Sequence, residues 1–159
     1  MNQTQIHLVI NHLPIVGPFI GALVLIHGIG VKSDQTIIAS YYIFILCAIG
    51  ASIAYFTGEG AEEVVEKIPD IVESSIKLHE EFALFAFISL ITLGISSLIG
   101  LFYTWKSSTL TKPLAFIILF IALISFGLVA RAGYLGGEIR HTEIINNQMQ
   151  SPENSNSED

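Results

Sequence analysis

Four long apolar runs, residues 9–31, 37–57, 82–103 and 114–135, dominate this chain. Each is close to the ~20 helical residues needed to cross a hydrocarbon core of ~30 Å. Backbone N–H and C=O groups find no water inside lipid, so such a run is stable there as a helix whose hydrogen bonds close within itself. Charged residues make up 13% of the chain and hydrophobic residues 52%, a balance with too little polar surface for a soluble domain of this length. The expectation is an all-α integral membrane protein in contact with the lipid bilayer: a four-helix bundle, up-down-up-down, built from residues 1–145.

The breaks between the runs carry helix punctuation. Ser33 and Asp34 separate the first two, and the stretch from Lys106 to Pro113 separates the last two, with Pro113 placed to suit a first helical turn. These two connections are short and share one side. The connection from Gly58 to Leu78 is longer, acidic and on the other side. Within it Ala61, Val64, Val65 and Ile68 follow an i, i+3, i+4, i+7 pattern while Glu62, Glu63, Glu66 and Lys67 take the opposite face, which predicts a short amphipathic surface helix. Asp70 and Glu73 resemble a capping box that opens the next helix. Residues 146–159 are polar and aperiodic, and are expected to form a disordered tail.

The first run lacks the basic stretch of a secretory leader and reads as a retained helix. Cys47, the only cysteine, sits inside the second run and reads as a small packing residue. Lys32, Lys106 and Lys112 are concentrated in the two short connections, whereas Lys67, Lys77 and Arg140 are spread over the other side. Cation density places the short connections in the cytoplasm and both termini outside it.

Four of the five histidines, His7, His12, His79 and His141, fall at the ends of apolar runs that this threading brings to one membrane face. Imidazole inside or beside lipid needs a hydrogen-bond or metal partner, so four at one depth suggest a site. His12 and His79 each begin a span. Ala83 and Ala86, one and two turns after His79, leave room for a flat macrocycle or for a close neighbouring helix. At the end of the fourth run Arg131, Tyr134, Glu138 and His141 share one helical face if the helix persists through Gly136 and Gly137, and that glycine pair could also break it. Glu138 and His141 form a Glu-x-x-His pair, a metal-ligand spacing that also arises by chance. His27 lies fifteen residues beyond His12, roughly 22 Å of helix, and so belongs to the opposite leaflet. It reads as a hydrogen-bonded packing residue, because no other histidine, methionine or cysteine is placed there to complete an axial pair.

The opening Ile6-His7-Leu8-Val9-Ile10-Asn11-His12-Leu13-Pro14-Ile15 resembles the His-Pro-x-x-Val-His-Phe-Pro-Ile start of a widespread uncharacterised family of small bacterial four-helix membrane proteins. Thr57-Gly58 at the end of the second span, the histidine opening the third, and Leu135-Gly136-Gly137-Glu138 followed by a histidine are similar too. Leu8 stands where the family often has proline, Asn11 where it has valine, and His141 comes slightly early after the glycines. The family is known only as a domain of unknown function. The resemblance implies a location in the bacterial cytoplasmic membrane and a histidine site, without supplying a reaction.

Three function classes follow. The first is a b-type haem protein with axial ligands drawn from His12, His79, His141 and His7 and with Arg131 facing a propionate, passing electrons between a quinone pool and an extracytoplasmic carrier. The second is a non-haem site in which the imidazoles join Glu59, Glu62 or Glu138 to bind copper, zinc or iron for transport, sensing or assembly. The third is a structural accessory subunit of a larger membrane complex. No nucleophile triad or phosphate-binding loop is visible, so the chain reads as an electron-transfer or accessory protein rather than an enzyme. The net charge of -7 argues against nucleic acid as a partner.

Overall fold

The computed structural model describes the backbone of residues 12–65 and 73–150, and the side chains of residues 12–56 and 77–138. It contains four helices: α1 (His12–Val31), α2 (Asp34–Val65), α3 (Glu73–Trp105) and α4 (Thr111–Gln150). Each includes a stretch long and apolar enough to cross a membrane, namely His12–Val31, Asp34–Phe56, Lys77–Trp105 and Thr111–Glu138. Neighbours in sequence pack side by side and α4 closes against α1, so the four form a ring in which α2 and α4 also touch across one diagonal. α1 and α3 occupy the other two corners. The all-α membrane bundle expected from the apolar runs is the fold the chain adopts.

Two local expectations change, and one alternative left open is decided. The amphipathic stretch after the second span continues α2 without interruption as far as Val65, instead of forming a separate surface helix, and residues 66–72, with Asp70, lie outside the described residues. Gly136 and Gly137 do not end α4. That helix runs on to Gln150, so its backbone includes the first residues of the segment expected to be disordered, and residues 151–159 lie outside the described set. Unbroken i→i−4 bonding outweighs the loss of about 1 kcal/mol in helix propensity that each glycine brings.

Both short connections use one device. After α1, the Ser33 N–H donates to Gly28 O at 3.0 Å and the Lys32 N–H to Ile29 O at 3.3 Å; after α3, the Ser108 N–H donates to Tyr103 O at 3.1 Å and the Ser107 N–H to Thr104 O at 3.0 Å. These are paired 6→1 and 5→2 bonds of Schellman endings, which satisfy the last helical carbonyls. Ser33 then serves the next helix, its Oγ accepting from the Thr36 N–H at 3.3 Å and from the Thr36 hydroxyl at 2.9 Å. Asp34 adds a carboxylate to the first turn of α2, where the helix dipole favours it.

Small residues bring the helices close. Gly17 of α1 meets the Cys47 Sγ, Gly21 meets the Phe44 ring, and a Cβ at Gly28 would stand 2.9 Å from the Ile37 backbone nitrogen. In α3, Gly94 faces Ala48, and Gly100 faces both Ile118 and the Tyr41 ring. Lipid tails are as apolar as leucine, so contact of this kind, rather than expulsion of water, holds a membrane bundle together. Leu25, Phe44, Leu90, Leu93 and Ile118 fill the interior. Of the buried hydroxyls, Ser40 donates to Ile37 O at 2.7 Å and Thr104 to Gly100 O at 2.8 Å within their own helices, Ser125 donates across to Ser89 O at 3.3 Å, and those of Tyr41 and Ser97 have no hydrogen-bond partner among the described residues.

The outer surface is the reverse of a soluble protein's. Leu23, Leu46, Ile49, Ile88, Ile95, Phe120 and Leu123 are exposed along the spans, a continuous apolar surface of the kind lipid covers. Aromatic side chains gather near both ends of the spans: Tyr55 stacks on Phe87 at 4.5 Å near the histidine end, and Phe102 lies beneath the Lys106 ammonium at 4.4 Å at the other.

Candidate histidine site

His79 opens the membrane portion of α3 and is half-buried. Its Nδ1–H donates to the carbonyl oxygen of Ala132 in α4, at 3.0 Å. The ring also lies against Gly136, one turn further along α4, where a Cβ would stand 3.1 Å from Cε1 and 3.5 Å from Nδ1. α3 therefore supplies the imidazole, and α4 supplies both the acceptor that fixes it and the bare backbone that lets it approach. The neighbouring Glu80 and Glu81 are exposed, and the ring bonds to a main-chain carbonyl.

His12, the first residue of α1, is exposed. Ile15 reaches Gly133 of the antiparallel α4, since a Cβ there would stand 3.5 Å from Ile15 Cδ1. One turn earlier on α1 corresponds to one turn later on α4, which puts His12 level with Gly136 and hence with His79. The two imidazoles belong to opposite corners of the bundle at one depth.

Arg131 is also exposed, its guanidinium carbon 5.6 Å from the centroids of both Phe82 and Tyr134. Phe82 is one turn deeper in α3 than His79, so the guanidinium lies one turn inward of the imidazole, in reach of the membrane interface by extension of its side chain. Because α4 is continuous, Arg131, Tyr134 and Glu138 keep their helical offsets, and all three are exposed. The stripe exists, and its described members face outward.

Glu59 and Glu62 lie in the helical backbone of α2, and His141 in that of α4, with side chains outside the described residues; His7 lies outside them altogether. Among the described residues, no three His, Cys, Asp or Glu side chains form a group that could hold a metal ion. His27 is exposed and makes no hydrogen bond among the described residues, a correction to its reading as a bonded packing residue. Its place on α1, between Ile26 and the open surface at Gly30, turns it outward at the interface where its ring can meet headgroups or water.

No family model, curated protein or solved structure matches the chain. Two participants in the site escaped the sequence reading: the Ala132 carbonyl, which has no side-chain signature, and Gly136, whose glycine pointed to a helix end before it pointed to a neighbour. The signal for Gly136 was the coincidence of a histidine opening one span with a small residue at the same depth in the next antiparallel helix.

Proposed function

We propose that this chain is a b-type haem protein of the cytoplasmic membrane, with His79 as one axial ligand, His12 as the facing candidate, and His141 and His7 as further imidazoles of the same membrane side. The observation that carries this reading is the His79 ring donating to a backbone carbonyl, the supporting contact that orients ligating histidines in metal sites. A bis-imidazole centre needs two donors, and His12 and His79 are level with one another, whereas a mixed histidine–carboxylate site would draw a third ligand from outside the described residues. The resemblance to the uncharacterised four-helix family supports the same membrane side and the same histidines. When bound, the haem would supply a one-electron carrier in a low-dielectric setting.

The residues' own work is then holding and screening. His79 is fixed in angle by Ala132, small residues Ala83 and Gly136 keep the flanks clear, and Arg131 offers a cation for a propionate. A quinone on the membrane side and a soluble or membrane-bound carrier outside the cytoplasm are the proposed electron partners. The test is the visible spectrum of the full chain purified in detergent after expression with ample haem. A sharp Soret band and a reduced α-band, lost in His79→Ala and kept in His27→Ala, are expected; a spectrum without haem bands transfers the site to a non-haem metal or to an accessory role.

A further inference from the structure

Resting on that cofactor reading, we propose that His79 binds through Nε2, that the Ala132 carbonyl selects the tautomer which makes this possible, and that Gly136 is the positioning residue that keeps the ring in place. A carbonyl oxygen only accepts, so the 3.0 Å contact requires the proton on Nδ1. In the neutral ring the lone pair then belongs to Nε2. The same carbonyl is the helical acceptor for the Gly136 N–H, and its two lone pairs allow both bonds. Gly136 thus stands at two points of one arrangement, its N–H on the shared carbonyl and its bare Cα against the ring.

The glycine requirement is specific to this position. A Cβ at Gly136 would stand 3.1 Å from Cε1 and 3.7 Å from Nε2, whereas a Cβ at the adjacent Gly137 would meet nothing within 4 Å. An alanine at 136 asks the ring to give by a few tenths of an ångström; a longer side chain takes the space the ring occupies. Donation from Nδ1–H to a carbonyl also makes Nε2 the more basic donor to a metal.

The experiment uses the full chain labelled with ¹⁵N-histidine in detergent micelles, first without cofactor. Long-range ¹H–¹⁵N spectra, with His79 assigned by its absence in His79→Gln, are expected to show a protonated Nδ1 and an unprotonated Nε2. Gly136→Leu should abolish that pattern and weaken the binding of added haemin by about 10- to 100-fold, while Gly137→Leu leaves both unchanged. Gly136→Ala, which disturbs the fold least, should keep the Nδ1 proton with a shifted resonance. A proton on Nε2 in the unmodified chain, or equal behaviour of the Gly136 and Gly137 variants, overturns the positioning role even if haemin binds. The expected tautomer with no haemin binding removes the ligand role together with the cofactor reading.

Discussion

Lys32 and Ser107 occupy the same place in two copies of one helix ending. Each is the left-handed residue that follows a helix on the same side of the bundle, with φ of 56° and 49°. L-residues other than glycine pay for this conformation through their Cβ, so both turns carry local strain. Ser107→Gly is expected to stabilise the chain by about 0.5–1 kcal/mol, and Lys32→Gly by a similar amount, because glycine removes the Cβ penalty while the Schellman bonds remain. Unfolding in mixed micelles with rising SDS measures this. A loss of stability in Ser107→Gly would show that the side chain, not the backbone, holds the turn.

The α1–α2 contact should be sensitive to volume at one glycine and indifferent at another. Gly21 lies against the Phe44 ring, whereas Gly30 has no neighbour within 4 Å of an added Cβ. Gly21→Leu is expected to cost about 1–3 kcal/mol or more through overpacking. Gly30→Leu should be neutral or slightly stabilising, since a helix interior prefers leucine to glycine. The same SDS titration distinguishes them, and equal effects would mean that α1 does not pack on α2 through this face.

Orientation is open to chemical labelling. In a Cys47→Ala background, Thr109→Cys reports the short-turn side and Glu80→Cys the histidine side, both positions being exposed. With the histidines outside the cytoplasm, a membrane-impermeant thiol reagent added to intact cells modifies only Glu80→Cys. Modification of Thr109→Cys alone inverts the protein, and modification of both contradicts four crossings.

Arg131 should tune the site without holding it. Its guanidinium is 5.6 Å from Phe82, one turn inward of His79. On the haem reading, Arg131→Ala keeps the cofactor and lowers its midpoint potential by roughly 20–60 mV, because loss of a nearby cation favours the more positive, oxidised iron. Redox titration followed at the α-band measures it. A raised potential, or loss of the cofactor, would assign Arg131 a different role.

How far the sequence carried depends on the scale of the feature. Apolar run length is a property of many residues at once, and it placed all four spans close to TM boundaries such as Asp34–Phe56 and Thr111–Glu138. The ends were harder. Glycine at 136 and 137 weakens a helix locally, yet neighbouring turns and the packing of α3 keep α4 intact, an influence that no window around the glycines contains. His79 was legible as a candidate because histidine at the start of an apolar run is unusual. Its partner was not legible, because a backbone carbonyl has the same chemistry at every residue and only the fold decides which one faces the ring.

α4 continues beyond Glu138 to Gln150, about 18 Å of helix past its apolar portion. The headgroup layer on one side is only about 5–8 Å deep, so a helix crossing it upright would stand clear by more than a turn. The overhang belongs to the same unbroken helix as Gly136 and as Ala132, whose carbonyl holds His79. The overhang is therefore a lever whose fulcrum is the bundle and whose short arm ends at an imidazole. A tilt of that helix as a whole would carry with it the Ala132 carbonyl that accepts from the His79 ring.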